Sequence, residues 1–265
     1  MNKIKICILI FFCNIAFAQI GFNVEFEADY KLDYKEDTQN SQRSTAAFAL
    51  LINNSSSYFK NINKYISNSL IYEKKIKSTG DKLKDANRLM QYFTDFNENI
   101  GISGDLIYVS LPIENKVYEY REKNNIQWEI QKDVKKINGY VCQKAITTKY
   151  GRKWIAYFTK DIPFPFGPHK FNNLPGLIVE LFDDKNDYHF TMYRFQKRKY
   201  YLKSANMNYN SVSTIKEKVF DYRRKQIGDI SRFQNAIADP DMLSEVIKKT
   251  SDRAKNFNPL ELKIY

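Results

Sequence analysis

The chain has 265 residues, a formal net charge of +12 and an aromatic content of 15%. It contains only two His residues, which excludes a zinc site built from several histidines. The abundance of Tyr and Phe favours strands over helices.

The first residues have the pattern of an export signal. Lys3 and Lys5 precede a short apolar segment, residues 6–13, and Ala16-Phe17-Ala18 matches a small-x-small cleavage site. We therefore predict a cleaved signal peptide at residues 1–18. The apolar segment is too short to span a bilayer as a helix, so cleavage is favoured over an uncleaved anchor.

Cleavage leaves residues 19–265 with a net charge of +10, since the signal removes two lysines from +12. Cys142 is then the only cysteine, so no intrachain disulfide is expected. Cys13 follows bulky residues inside the apolar segment, which argues against a lipoprotein anchor. In an exported protein the charge favours an anionic lipid surface or an acidic envelope partner over nucleic acid. The alternative is a solvated, lysine-rich surface.

The clearest strand pattern runs from Phe22 to Tyr34. Its even positions are apolar and its odd positions are polar or charged, as in an antiparallel strand with one wet face. Asn138-Gly139 and Tyr150-Gly151 predict tight turns between strands. Further strands are predicted at 45–52, 103–110, 116–122, 125–131, up to 137, and at 140–149, 153–158, 174–182, 188–195 and 200–205.

Helical patterns are fewer. Tyr58 and Ile62 begin a helical spacing that residues 83–93 resume after a charged segment. Thr214-Ile215-Lys216-Glu217 fits a capping box, and Asp239-Pro240 fits a helix start with Pro at the first helical position. The first of these helices is expected to bury Ile215, Val219 and Tyr222, and the second Met242, Leu243, Val246, Ile247 and Ala254.

Together these elements predict one α+β domain at residues 19–265. Its main part is a large, curved, half-barrel-like antiparallel sheet, mostly at residues 22–205, with helices inserted early and a helical C-terminal part at 211–256. We find no internal repeat or low-complexity linker that would divide the chain.

A search for chemistry yields no catalytic set, metal site or cofactor motif. Cys142 lies in an alternating strand and is interpreted as a buried structural thiol. Asp183, Asp184 and Asp187 lack the spacing of a calcium loop and predict a turn. His169 has a pKa range suited to proton transfer, but the sequence indicates no second positioned group, so catalysis is not favoured.

The segment Ile162-Pro163-Phe164-Pro165-Phe166-Gly167-Pro168 is conformationally restricted by its three prolines. Phe164 and Phe166 either form a lip for an apolar ligand or plug the open end of the curved sheet. The plug is favoured, because aromatic side chains of a folded chain are usually buried.

Several separate pieces of the chain form a specific series in order. They are Gly139 to Ala145, Gly151 to Trp154, Asp161-Ile162-Pro163, Gly167 to Phe171, Asn173 to Ile178 and Asn258 to Leu262. Together they resemble the GLPGLI family of exported Bacteroidetes proteins. One departure is Asn173, which stands where the name-giving hexapeptide begins with Gly. Asn is the non-glycine residue that best tolerates a positive φ, so the conformation is expected to persist.

The family has no established activity, so the resemblance implies export and an outline of the fold but no reaction. The order of elements from Trp154 to Phe195 is also similar to envelope carriers of the LolA type, whose curved half-barrel covers lipid acyl chains. Fold alone does not determine function.

The leading hypothesis is a non-enzymatic periplasmic protein that binds a lipid, a lipoprotein or an envelope protein on its curved sheet. Peripheral membrane contact is compatible with it, and nucleic acid is not expected. The alternatives are an interaction module of an outer-membrane transport complex and an envelope enzyme of unknown reaction. The expected ligand or partner surface comprises Arg152, Trp154, Phe164, Phe166, His169 and Phe171. The expected structural motif comprises Gly167, Pro168, Asn173, Leu174, Pro175, Gly176, Leu177 and Ile178.

Overall fold

The computed structural model describes residues 22–70, 77–81, 84–85, 87–88, 91–92, 94–113, 116–202, 211–231 and 239–263. The proposed signal peptide lies outside the described residues. So do the apolar positions of the second helical pattern, Leu83, Ala86, Leu89, Met90 and Phe93.

The described residues form twelve strands and three helices. The helices are α1 (Ile62–Asn68), α2 (Lys216–Ile227) and α3 (Pro240–Asn256). The strands are β1 (Phe22–Tyr34), β2 (Ser44–Ile52), β3 (Ser56–Asn61), β4 (Asn99–Ser103), β5 (Leu106–Ile113), β6 (Lys116–Lys123), β7 (Glu129–Ile137), β8 (Tyr140–Lys149), β9 (Arg152–Thr159), β10 (Leu177–Asp183), β11 (Tyr188–Leu202) and β12 (Ser211–Ser213).

All twelve strands belong to one open sheet, in the order β12-β6-β5-β4-β3-β2-β1-β11-β10-β9-β8-β7. Each half is a meander of consecutive strands, and the antiparallel pairing of β1 with β11 joins the halves. Only β12 runs parallel to its neighbour, β6. The predicted α+β class with a large antiparallel sheet is therefore confirmed.

The sheet is strongly curved, as one short connection requires. β6 and β7 lie ten strand spacings apart in the sheet order, which would separate them by about 48 Å in a flat sheet. Residues 124–128 join them directly along the chain, and a link of this length spans at most about 20 Å. The two ends of the sheet must therefore approach each other around the concave face.

One face of the sheet encloses the main core. Phe48 and Phe59 stack with ring centroids 4.8 Å apart, and Phe190 packs edge-on against both. Tyr30 is fully buried, and its hydroxyl donates a hydrogen bond to the Ile178 carbonyl at 2.6 Å. A satisfied hydroxyl lets a tyrosine lie in an apolar core without an unpaired polar group.

A smaller core lies on the opposite face, where α1 covers the sheet. It includes Val24 of β1, whereas Phe26 packs against the main core. The face changes at an irregularity between Val24 and Phe26 in the pairing with β11, since a bulge disturbs the regular alternation of faces. The expectation that all even positions of β1 share one face was wrong at its start. The wet-face expectation also fails at Glu27 and Asp29, which are buried.

The strands with local turn signals were predicted well. β8 has the expected bounds, and the Asn138-Gly139 turn has positive φ at both residues, 49° and 91°, as a type I′ hairpin turn requires. Tyr150-Gly151 behaves in the same way, with φ of 55° and 81°.

Other predictions were wrong. Tyr58 lies in strand β3 and not in a helix. The predicted strand 103–110 corresponds to β5, but it begins only at Leu106. Before it the chain turns at Gly104, with a positive φ that glycine adopts without strain, and the preceding strand β4 was not predicted. The predicted strand 125–131 is mainly the link to β7, and 200–202 continue β11 as far as the structure describes them.

Of the two predicted helix caps, the one at Asp239 is confirmed and the one at Thr214 is wrong. Asp239 caps α3, and its carboxylate accepts hydrogen bonds from the amides of Asp241 and Met242. The capping box at Thr214 does not form, because the N-cap of α2 is Ile215 and the Thr214 amide bonds to the Glu119 carbonyl. Ile215, Tyr222 and Met242, expected to be buried, are exposed, whereas Val219 is buried.

Of the remaining α3 stripe, Leu243, Val246 and Ile247 are half-buried and Ala254 is exposed. Among the described residues, no helix combines the length and the apolar character needed to cross a membrane.

Candidate functional site

The loop between β9 and β10, residues 160–176, fills the concave side of the sheet. Ile162, Phe166, Phe171 and Leu174 are buried in the main core. The Phe171 ring packs against Trp154 of β9 with centroids 4.6 Å apart. These positions match the interpretation of the loop as a plug.

The plug has an unusual backbone. His169, Asn173 and Gly176 have φ of 56°, 68° and 152°. A Cβ on Gly176 would lie 2.0 Å from the Thr159 carbonyl oxygen, so no larger residue fits there. The positive φ expected at Asn173 is confirmed, and Asn replaces Gly there with little strain.

The link between β6 and β7 closes over the plug. Trp128 donates from its indole nitrogen to the Asn172 carbonyl at 2.7 Å. The side-chain amide of Asn173 lies 3.4 Å from the Asn124 amide oxygen. The short connection that curves the sheet is thus held by the plug it covers.

Beyond the plug lies a closed ring of alternating charges, which we call the charge ring. Lys170 contacts Glu122 and Glu261, with Nζ 2.6 Å from a carboxylate oxygen of each. Lys216 contacts the other oxygen of both carboxylates at 2.7 Å. Each lysine therefore bridges both glutamates, and the Tyr120 hydroxyl accepts a further hydrogen bond from Lys170 at 3.0 Å.

Lys170 and Glu261 of the charge ring are buried, and their neighbours favour their charged forms. Burial opposes the charged form of Lys170, but Glu261, Tyr120 and Glu122 outweigh it and keep the pKa of Lys170 well above its usual value. Burial likewise tends to raise the pKa of Glu261, yet Lys170 and Lys216 hold that pKa below its usual range. Buried ions are tolerated only when paired in this way.

The charge ring joins four parts of the chain: β6, the plug, the start of α2 and the C-terminal tail, residues 257–263. Its two positive and two negative charges balance, so its role is to hold these four parts together. Sequence reasoning missed it, because Lys170 and Glu261 look like ordinary surface charges.

His169 lies beside the ring, buried, with Nε2 3.8 Å from a Glu261 oxygen. That distance is too long for a hydrogen bond. Burial, together with the charge of Lys170, lowers the pKa of His169 well below its usual value. His169 is therefore neutral, and its Nδ1 has no hydrogen-bond partner within the described structure.

Arg152 makes a second attachment of the tail. Its guanidinium donates to the Asp183 and Asp187 carboxylates at 2.9 and 3.1 Å. It also donates to three oxygens of the segment Asn258-Pro259-Leu260 at 2.6 to 3.0 Å. The planar guanidinium uses all its nitrogens here, a pattern that lysine cannot reproduce. The acidic turn thus supplies the carboxylates that bind Arg152. Among the described residues, no cluster of side chains could hold a metal ion.

The six residues expected to form a ligand surface are mostly interior. Arg152, Trp154, Phe166, His169 and Phe171 are buried. Phe164 is half-buried, with its ring centroid 5.0 Å from that of Phe26. Phe164 alone among the six retains substantial exposure, whereas the motif residues hold the plug in place.

Cys142 is buried, as predicted, and burial together with nearby Glu180 raises the pKa of its thiol to about 11. A thiol in this state is a poor nucleophile at neutral pH.

An apolar patch is exposed where β7 ends the sheet. Ile130, Val134 and Val141 are 47%, 58% and 60% exposed. Beside them is a groove of about 190 Å³, lined by Val134, Val141, Gln143, Phe158, Lys160 and Asp161. We call Ile130, Val134, Val141 and this groove the β7 patch.

A second groove, of about 610 Å³, lies along the C-terminal half of α2. Its lining includes Tyr222, Arg224 and Lys225, together with Ile113 of β5. This groove is basic and wide, whereas the β7 patch is apolar and narrow.

Comparisons with known proteins inform the fold. No family model matches the chain, and no curated protein matches it. The chain is similar to PNGF-II, solved in space groups P21 and C2, with a TM-score of 0.51 and 15% identity over 75% of this chain. It spans 33% and 32% of those PNGF-II chains, about a third of their length. At this identity the likeness shows the fold alone.

Two weaker similarities concern shorter proteins. An uncharacterized conserved protein from Thermus thermophilus has a TM-score of 0.38 and 8% identity, covering 72% of this chain and 91% of its own. The LolA superfamily protein NE2245 from Nitrosomonas europaea has a TM-score of 0.30 and 8% identity, covering 67% of this chain and 87% of its own. The structural likeness to the LolA superfamily is thus present and weak.

Proposed function

We propose that this chain is a non-catalytic binding protein of the bacterial envelope that holds a lipid, a lipoprotein or an envelope protein on its curved sheet. The observation that supports this most is the β7 patch, where Val134 and Val141 are more than half exposed. Exposed apolar groups that cluster beside a groove mark interaction sites more often than isolated ones do. The interior is filled by the plug, so binding takes place at the margin of the concave face.

The proposed location is the periplasm, and association with the outer membrane is compatible with it. It rests on the signal peptide at residues 1–18 and on the GLPGLI resemblance, both of which are properties of the sequence. Cell fractionation, with mass spectrometry of the mature protein, tests it. A chain that begins at Gln19 and carries no lipid supports the proposal, and a cytoplasmic chain that retains its first residues refutes it.

Native mass spectrometry of protein purified from envelopes tests the binding function. We expect a bound lipid, lipopeptide or protein on the wild type and its loss from the variant V134D/V141D. Tyr201→Asp is the control, because Tyr201 is equally exposed but lies in β11. A wild type that carries nothing, and that gains no stability from lipids or lipopeptides, would overturn the proposal.

A second candidate function is an interaction module of an outer-membrane transport complex, and the basic groove along α2 favours it. Arg224 and Lys225 line that groove beside Tyr222. Exposed charges of this kind are screened by salt, so a complex formed there should weaken between about 0.1 and 1 M salt. Co-purification of a membrane partner that R224E/K225E abolishes would favour this function over the first.

A further inference from the structure

The size of the β7 patch limits what it can hold, and the occupant inferred from it rests on the proposed binding function. The groove has a volume of about 190 Å³, below the 300–1,000 Å³ of typical small-molecule sites. It therefore has room for one or two side chains and not for a whole lipid. Phe158 and the two valines make its lining mainly apolar.

The backbone beside the groove is available for pairing. β7 ends the sheet order, and within the described residues no strand pairs with its outer side. Val134 to Ile137 pair regularly with β8, whereas the register is irregular between Ile130 and Val134. The regular edge is therefore only four residues long. Such an edge accepts a short extended peptide, and the irregular pairing beside it opposes longer, non-specific pairing.

The charges beside the groove indicate which peptide fits. Lys136 lies directly opposite Val141 in the ladder, and Lys160 lines the groove. In the described structure, Lys135 and Lys144 form ion pairs, whereas Lys136 and Lys160 contact no carboxylate. Asp161 also lines the groove, so the two lysines leave an excess of one positive charge there. Acidic side chains on either side of an apolar one would complement this arrangement.

We propose that the β7 patch binds an extended peptide segment in which acidic side chains stand two residues to either side of an apolar side chain placed in the groove. Residues two apart in a strand face the same side of the sheet, and Lys136 shares its face with the groove-lining Val141. The segment adds as a further strand at Val134 to Ile137, so main-chain hydrogen bonds supply affinity. The groove and the two lysines supply specificity.

Three fluorescent probes test this on the mature protein: the pentapeptide Glu-Ser-Val-Ser-Glu, its counterpart Lys-Ser-Val-Ser-Lys, and a monomeric lysophospholipid. We expect the acidic peptide to bind at least about tenfold more tightly than the basic one at low salt, a difference of about 1.4 kcal/mol. The amides of Val134 to Ile137 should gain protection from hydrogen exchange. Equal binding of both peptides, or a lysophospholipid that displaces the acidic peptide, would overturn the inference.

Charge reversal adds a test that does not depend on core packing, because Lys136 and Lys160 are exposed. The variant K136E/K160E should reverse the preference towards the basic peptide, and V141D should abolish binding of both. Val212→Asp is the matched control, since Val212 is an exposed valine in the strand at the other end of the sheet. If native mass spectrometry shows a lipid at the β7 patch while no peptide binds, this inference fails and the proposed function stands.

Discussion

Lys170 and Glu261 meet inside the protein, with Nζ and Oε1 2.6 Å apart, although 91 residues separate them in the chain. Lys170 belongs to the plug and Glu261 to the tail, so the contact joins two segments that are distant in the chain. The plug, the tail and the start of α2 therefore form one unit around the charge ring.

Removing one charge from the ring should be costly. Glu261→Gln leaves the buried Lys170 and Lys216 sharing the carboxylate of Glu122, and we expect the free energy of unfolding to fall by about 3–5 kcal/mol. Urea unfolding measures this. Adding Lys216→Met restores the balance of charge and should recover part of the loss.

The control for this experiment is Glu245→Gln, which removes an exposed pair with Lys249. It should leave the unfolding midpoint unchanged, because exposed pairs contribute little. If the losses in E261Q and K216M simply add in the double variant, the ring is not a coupled unit.

Stability should fall as the pH falls below about 6.5, where an unfolded histidine gains a proton. Folded His169 does not gain it, since burial and Lys170 hold its pKa well below that value. The unfolded state then binds more protons, and the loss amounts to as much as about 1.4 kcal/mol per pH unit. Below about pH 4.5, the lowered pKa of Glu261 adds a second loss of the same sign.

Unfolding of His169→Asn between pH 7 and 5 tests this prediction. Asn tolerates the positive φ of position 169, so the fold should persist with a smaller slope of stability against pH. An unchanged slope in His169→Asn would contradict the assignment.

The backbone of the plug predicts a graded response to substitution. Asn173→Gly should change stability by less than about 1 kcal/mol, because both residues adopt the required φ. Asn173→Val should cost about 1–3 kcal/mol, since a β-branched residue is strained there.

Gly176→Ala should unfold the protein, because the new Cβ would meet the Thr159 carbonyl. Gly101→Ala is the control, as the nearest atom to its added Cβ is 3.9 Å away. Thermal melts of the two variants measure the difference. Similar melting temperatures would show that the plug can rearrange.

Arg152→Lys keeps the charge but loses the planar fork that holds the tail. The amides of Leu262 and Lys263, which bond to the Tyr150 carbonyl, should then exchange hydrogen at least about tenfold faster. Arg194→Lys, at a half-exposed contact with Asp29, should leave these amides unchanged. Tail amides that stay protected in R152K would mean that the charge ring alone holds the tail.

The parts of the fold that sequence reasoning predicted are those with local causes. Strand β8 follows from its alternation and from the Asn138-Gly139 turn, and the start of α3 follows from Asp239 and Pro240. Strand β3 was misread because Tyr58 and Ile62 have helical spacing, although the helix begins only at Ile62. A short strand that runs straight into a helix carries both periods at once.

The candidate site could not be predicted in the same way. Lys170, Lys216 and Glu261 form a buried cluster only when distant segments meet. From composition alone, each is expected to be a solvated charge. Trp154 and Phe171 were expected at a ligand surface, whereas they are buried against each other. The β7 patch was missed as well, since Val134 and Val141 fit an alternating strand and nothing local shows that their face lacks a cover.

The pairing of β1 with β11 has a consequence for the order of folding. Within each half of the sheet, apart from β12, neighbouring strands are also neighbours in sequence, whereas this seam pairs residues as distant as Phe22 and Leu202. Pairing over such separations is slow. In a chain that is synthesised from its N-terminus, one side of the thirteen-residue strand β1 stays unpaired until β11 has been made. While this edge of β1 is unpaired, a chaperone would act on it, and aggregation would begin there.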